Sequence, residues 1–127
     1  MVPARCESWL KDGGNFGIVN VWRPLDYPVE KDPLGFIDPK TSTLEDTHVL
    51  RIGNEGRVGI ILGVEKREQH KWLVLDKMDP DMVWIFNQFD SRGMMGVGHS
   101  AVNLMDIDTT ARKRRSIECR ILVRYNN

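Results

Sequence analysis

Apolar and polar residues alternate with a period near two along most of this chain, and no window of a dozen residues holds the apolar stripe of an amphipathic helix. Side chains two apart on a strand share a face, so the pattern predicts strands over Phe16–Trp22, Leu34–Asp38, Val58–Gly63, His70–Leu75, Met82–Phe89, His99–Leu104 and Arg115–Tyr125. Clusters of Gly, Pro, Asp and Ser separate them. Leu44–Leu50 reads instead as one or two helical turns, with Thr43 as cap and Glu45 and Asp46 in the favoured first-turn positions. On the last strand Ile117, Cys119, Ile121, Val123 and Tyr125 fall on one side, the expected core seam. Ser116, Glu118, Arg120, Leu122 and Arg124 fall on the other, which meets either solvent or a polar pocket. Met82, Trp84, Phe86 and Gln88 alternate with Val83, Ile85, Asn87 and Phe89, and two largely apolar faces predict a central strand. Several short strands without an internal repeat make a mainly β sandwich, jelly roll or barrel.

Length and charge narrow this picture. A chain of 127 residues is one domain. Gly13-Gly14-Asn15 mark residues 1–15 as a flexible N-terminal lead-in to a single β domain over residues 16–127. Eighteen basic residues against eighteen acidic ones exclude binding to nucleic acid or a membrane surface through bulk charge. The expected partner is a small apolar metabolite, with a homodimer as a way to complete the β fold. At 41% hydrophobic the chain is too apolar for disorder, and no apolar run reaches the ~20 residues of a membrane span. Cys6 and Cys119 are too few and too far apart for a disulfide framework or a zinc site. Met1 to Asp12 lack the apolar stretch of a signal peptide, so a cytoplasmic setting is expected. Arg112-Lys113-Arg114-Arg115, beside Asp106 and Asp108, reads as a solvated approach to a strand.

The chemistry-bearing residues are sparse. There is no Gly-x-Ser-x-Gly elbow, and Gly93, Gly96 and Gly98 read as a mobile loop rather than a phosphate cradle, because no helix pattern follows them. None of His48, His70 and His99 begins the His-x-Asp/Glu pair of a two-histidine, one-carboxylate iron site.

A family resemblance rests on five segments. Asn20-Val21-Trp22-Arg23-Pro24-Leu25 continues through Pro28-Val29 to Asp32-Pro33-Leu34. It is followed by His70-Lys71-Trp72, by Pro80-Asp81-Met82-Val83-Trp84-Ile85-Phe86-Asn87-Gln88-Phe89-Asp90-Ser91, by His99-Ser100-Ala101 and by Arg114-Arg115-Ser116-Ile117-Glu118-Cys119-Arg120. In order and spacing they resemble the fungal hydroxylase/desaturase family of AsaB-like oxidases, which includes gibberellin-desaturase-like proteins and relatives of the cephamycin methoxylation component. The resemblance implies kinship with iron(II)/2-oxoglutarate oxygenases and a double-stranded β-helix. It places His99 where a distal metal-binding histidine is expected and Arg114 or Arg120 where a carboxylate-binding arginine lies. Family members are considerably longer, and the upstream half that would carry a His-x-Asp/Glu pair is absent here. A natural short form is the favoured explanation.

Without that pair the residues suggest chemistry with no metal and no cofactor: a cyclisation, isomerisation or Diels–Alder-type step on a polyketide or terpenoid held in a β-walled pocket. Catalytic candidates are His99 as donor or general acid, Arg120 held by Glu118, and Asn20 and Gln88 as donors to a substrate carbonyl. Trp72, Trp84, Trp22, Met82 and Arg23 are the substrate-binding candidates. The alternatives are an iron(II)/2-oxoglutarate hydroxylase or desaturase, with its missing ligands supplied by another chain, and a non-catalytic binding partner of a longer oxidase.

Overall fold

The alternation becomes eight strands in a computed structural model that describes residues 11–54, 57–104 and 110–125. They are β1 (Phe16–Pro24), β2 (Leu34–Ile37), β3 (Thr47–Asn54), β4 (Arg57–Val64), β5 (Trp72–Val74), β6 (Trp84–Asp90), β7 (His99–Ala101) and β8 (Ser116–Arg124). Every pairing is antiparallel, in one sheet of order β6-β1-β8, a second of order β5-β2-β7, and a ribbon of β3 and β4. The two larger sheets pack as a jelly-roll-like sandwich that does not close into a barrel among the described residues. The expected lead-in falls mainly on residues 1–10, and Cys6, Asp106 and Asp108 also lie outside the described residues.

Aromatic contacts join the sheets. Phe36, on the fully buried strand β2, meets the rings of Trp84 at 4.8 Å and Phe86 at 4.9 Å on β6, both edge-on, as aromatic quadrupoles prefer. Trp22, Val29, Leu34 and Met78 complete the core around them. The glycine-rich segment predicted to be a mobile loop is strapped to both sheets: Val97 N–H donates to Asn87 O on β6, and Ile37 N–H on β2 donates to Gly98 O. A Cβ on Gly96 would lie 2.2 Å from Gln88 O, so only glycine permits that close approach.

Three expectations are corrected. β3 occupies a segment read as helical: only Leu44–Asp46 forms a short 3-10 turn, whose acidic residues resemble a helix start, and the chain then extends. Asp46 ends that turn and ties the ribbon down, accepting from the N–H and hydroxyl of Thr43, from Arg67 Nε at 3.3 Å and from His70 Nε2 at 3.2 Å. β6 is an edge strand, not a central one; β1 takes the centre, so apolar residues on both faces of β6 do not report two covered faces. The faces of β8 are also reversed. Glu118 and Arg120 share the side of Trp22 and Asn20, whereas Ile117, Cys119 and Ile121 are exposed on the outer face. Composition misleads there, because the core side of β8 is the side that leads into a polar cluster.

One buried carboxylate closes an end of the β6-β1-β8 sheet. Asp90 accepts from Arg92 Nε at 3.0 Å and Nη2 at 2.8 Å, and from the Tyr125 hydroxyl at 3.0 Å. These bonds, those from Arg92 foremost, hold its carboxyl far below the usual carboxylate range. A folded-state pKa below the unfolded value of ~3.9 contributes stability that is present above that pH and is lost as pH falls toward the folded value. Asp90→Asn is therefore expected to lower the melting temperature at neutral pH, with the difference from the parent shrinking as pH drops below ~4. Thermal unfolding followed across that range by circular dichroism checks this.

Candidate functional site

In antiparallel ladders, directly opposed residues share a face. Asn20 on β1 stands opposite Phe86 and Arg120, and Trp22 stands opposite Trp84 and Glu118, so all six project from the side of the sheet that meets β5-β2-β7. Where β1 meets β6 the register passes from Ile18–Phe89 to Val19–Asn87. Gln88 is thereby the extra residue of a bulge, a device that re-aims a side chain.

Asn20 is the centre of the cluster. It is fully buried, and its Nδ2 donates to Gln88 Oε1 at 3.0 Å and to Glu118 Oε1 at 2.5 Å. Among the described residues its Oδ1 has no hydrogen-bond partner, nor does Oδ1 of Asn87. With both amide protons committed, Asn20 offers only an acceptor, suited to a hydroxyl or amide donor on a ligand. Leaving such an atom buried without a partner costs about 1–3 kcal/mol, a cost that a bound donor would relieve.

His99 enters from the opposite sheet. It pairs with Phe36 on β2, and its ring lies 4.6 Å from that of Phe86, the residue opposed to Asn20. Nδ1 stands 2.8 Å from Val97 O, so the neutral ring is assigned as the Nδ1–H tautomer, which leaves the lone pair on Nε2. A backbone carbonyl holding the other ring nitrogen is the usual support of a metal-binding imidazole. One imidazole is not a metal site, however. Among the described residues no group of three or more His, Cys, Asp or Glu side chains is placed to hold an ion, so an iron does not fit on these residues alone.

Asn20, Gln88 and Glu118 are thus brought together, with Trp22 and Trp84 on the same face and His99 joined through Phe86. Arg120 reaches Glu118 only at 4.0 Å and is largely exposed, a contact of little energetic value. Arg114, its rival for binding a carboxylate, donates to Asp32 O and lies over the Trp22 ring at 5.4 Å. Three candidates lie elsewhere. Arg23 shares the outer face with Ile117, Trp72 pairs with Ile37 on the side of its sheet away from Phe36, and Met82 is exposed in the turn before β6. Sequence reasoning missed Phe36 and Phe86 as supports of His99. Both lie in predicted strands, but only the packing of the sheets reveals their ring contacts.

Glu118→Ala removes one acceptor of the buried Asn20 amide and is expected to lower stability by about 1.5–3 kcal/mol. Glu118→Gln keeps a carbonyl acceptor and loses less. Urea unfolding of the three proteins checks the order.

Similarity to known proteins agrees with the fold and the sequence motifs. The chain is 32% identical to "Oxidoreductase clz16" of Cochliobolus lunatus over 96% of its own length and 45% of the relative's. It is 34% identical to "Aspirochlorine biosynthesis protein N" of Aspergillus oryzae, covering 99% of itself and 54% of that protein. Among solved structures it superposes on the "iron and alpha-ketoglutarate-dependent endoperoxidase NvfI with different conformation" with a TM-score of 0.82 at 25% identity, over 98% of this chain and 47% of the other. The chain therefore spans about half the length of the relatives it matches. A relative named "Hydroxylase/desaturase efuI", from Hormonema carpetanum, points the same way. These oxidative relatives overturn the expectation of a metal-independent cyclase, isomerase or Diels–Alder enzyme. That expectation leaned on a missing ligand pair, and a ligand missing from half of a fold does not define the chemistry of the whole. Residues 1–124 match the family described as the oxidoreductase/YMDC permease-like domain, and the chain belongs to it.

Proposed function

We propose that this chain supplies one half of an iron- and 2-oxoglutarate-dependent oxygenase that modifies a small, largely apolar molecule in fungal secondary metabolism. The substrate class follows the aspirochlorine-biosynthesis relative, and the cofactors follow the structural neighbour named for iron and alpha-ketoglutarate. One observation carries the reading within the chain itself: His99 is anchored through Nδ1 to Val97 O and braced by Phe86, with Nε2 left as the nitrogen able to bind a metal. The remaining ligands come from outside the described residues. Iron held by such a set, with 2-oxoglutarate, would activate dioxygen, which is the oxidant. This half contributes a single imidazole, an apolar wall of Trp22 and Trp84, and the Asn20 acceptor that orients a polar group of the ligand.

The test joins the chain to the upstream half of the Aspergillus oryzae relative and titrates the fusion with iron(II) and 2-oxoglutarate under nitrogen. A saturable one-to-one visible band is expected from the fusion and none from the chain alone. His99→Ala should abolish the band while the circular dichroism spectrum stays unchanged. A band of equal strength in the variant would show that His99 is not a ligand.

A further inference from the structure

The β6-β1-β8 sheet has two edges, and they differ. On β6 the bulge at Gln88 breaks the register, one of the ways in which sheet edges are protected. β8 has no such device. It runs nine residues, Ser116 to Arg124, in unbroken register with β1, contains no proline and, among the described residues, is paired on one side only. Its outer face exposes Ile117 at 49% and Ile121 at 47%, with exposed Cys119 between them. An open edge of this length, with apolar side chains beside it, is a template for another strand.

The residues along that edge are complementary to themselves. Reversed about Cys119, the run Ile117-Glu118-Cys119-Arg120-Ile121 places isoleucine opposite isoleucine and glutamate opposite arginine. We propose that β8 of a second copy of this chain pairs antiparallel with β8 in this register, joining the two three-stranded sheets into one continuous sheet. Glu118 then faces the partner's Arg120, and Arg120 faces the partner's Glu118, on the same face as Asn20. Ile117 faces the partner's Ile121 on the outer face, and the two copies of Cys119 meet at the symmetry axis.

Neighbouring registers fit less well. Centring on Arg120 opposes two arginines, and centring on Glu118 opposes two glutamates; like charges directly opposite each other destabilise a sheet. Centring on Ile121 would pair Glu118 with the partner's Arg124, but it would set Arg120 against leucine, and Arg124 already has Asp12 at 3.7 Å. Among the described residues Arg120 has only its distant contact with Glu118, and at 69% exposure it is the charge left available. The pairing also brings a charged group of the partner to the rim of the Asn20 cluster.

Sedimentation of the full chain, in a Cys6→Ser background, tests the proposal by mass and so independently of any metal. The parent should be a dimer, and a bis-maleimide should crosslink it through Cys119. Arg120→Glu puts like charges into both cross-strand pairs and should sediment as a monomer with unchanged circular dichroism, whereas Arg120→Lys keeps opposite charges and should remain a dimer. A monomeric parent, an Arg120→Glu variant that stays dimeric, an Arg120→Lys variant that is monomeric, or a dimer that Cys119 does not crosslink would each overturn it.

Discussion

The ring of Phe36 ties the two sheets together. It lies on the central strand of one sheet, touches Trp84 and Phe86 of the other, and neighbours His99 in its own ladder. Losing a buried phenylalanine of this kind costs about 3–5 kcal/mol against the ~5–15 kcal/mol that holds a domain folded. The placement of His99 depends on the same contact. Its imidazole is held where the sheets meet, beside Phe36 and with Phe86 packed against its ring.

Polar groups then set what the mouth offers. The Gln88 bulge and the inward Glu118 take both protons of the Asn20 amide and leave its buried carbonyl oxygen as an acceptor without a partner among the described residues. Gly96 allows the segment before His99 to lie against the Gln88 backbone, so the bulge, the amide and the histidine are parts of one construction. Among the described residues this construction presents one imidazole and no further set of metal-binding side chains. The oxidative relatives, about twice the length of this chain, account for that incompleteness better than a self-sufficient metal-free pocket does.

Much of this was legible in the residues. Period-two alternation locates most strands within a few positions, and Asn20, Gln88 and Glu118 are visible in the sequence as polar residues inside largely apolar strands. Alternation does not say which face of an edge strand is covered. On β8 the more apolar side, with Ile117 and Ile121, is exposed, and the side carrying Glu118 leads to the core. β3 is hidden because Thr43, Glu45 and Asp46 do start a helical turn, but it is a 3-10 turn that stops at Asp46, where the chain extends. Trp72 looked like a pocket wall because tryptophan is large and apolar; its pairing with Ile37 turns it to the other side of the sheet from Phe36. Ring contacts between sheets have no signature along the chain at all.

Metal binding by this chain depends most on the way His99 is presented, and nitrogen NMR of its ring tests this directly. In the neutral imidazole Nδ1 is expected to carry the proton, bonded to Val97 O, and Nε2 to show the shift of an unprotonated nitrogen. A ring protonated at Nε2 would contradict it, because the nitrogen assigned to the site would then be occupied.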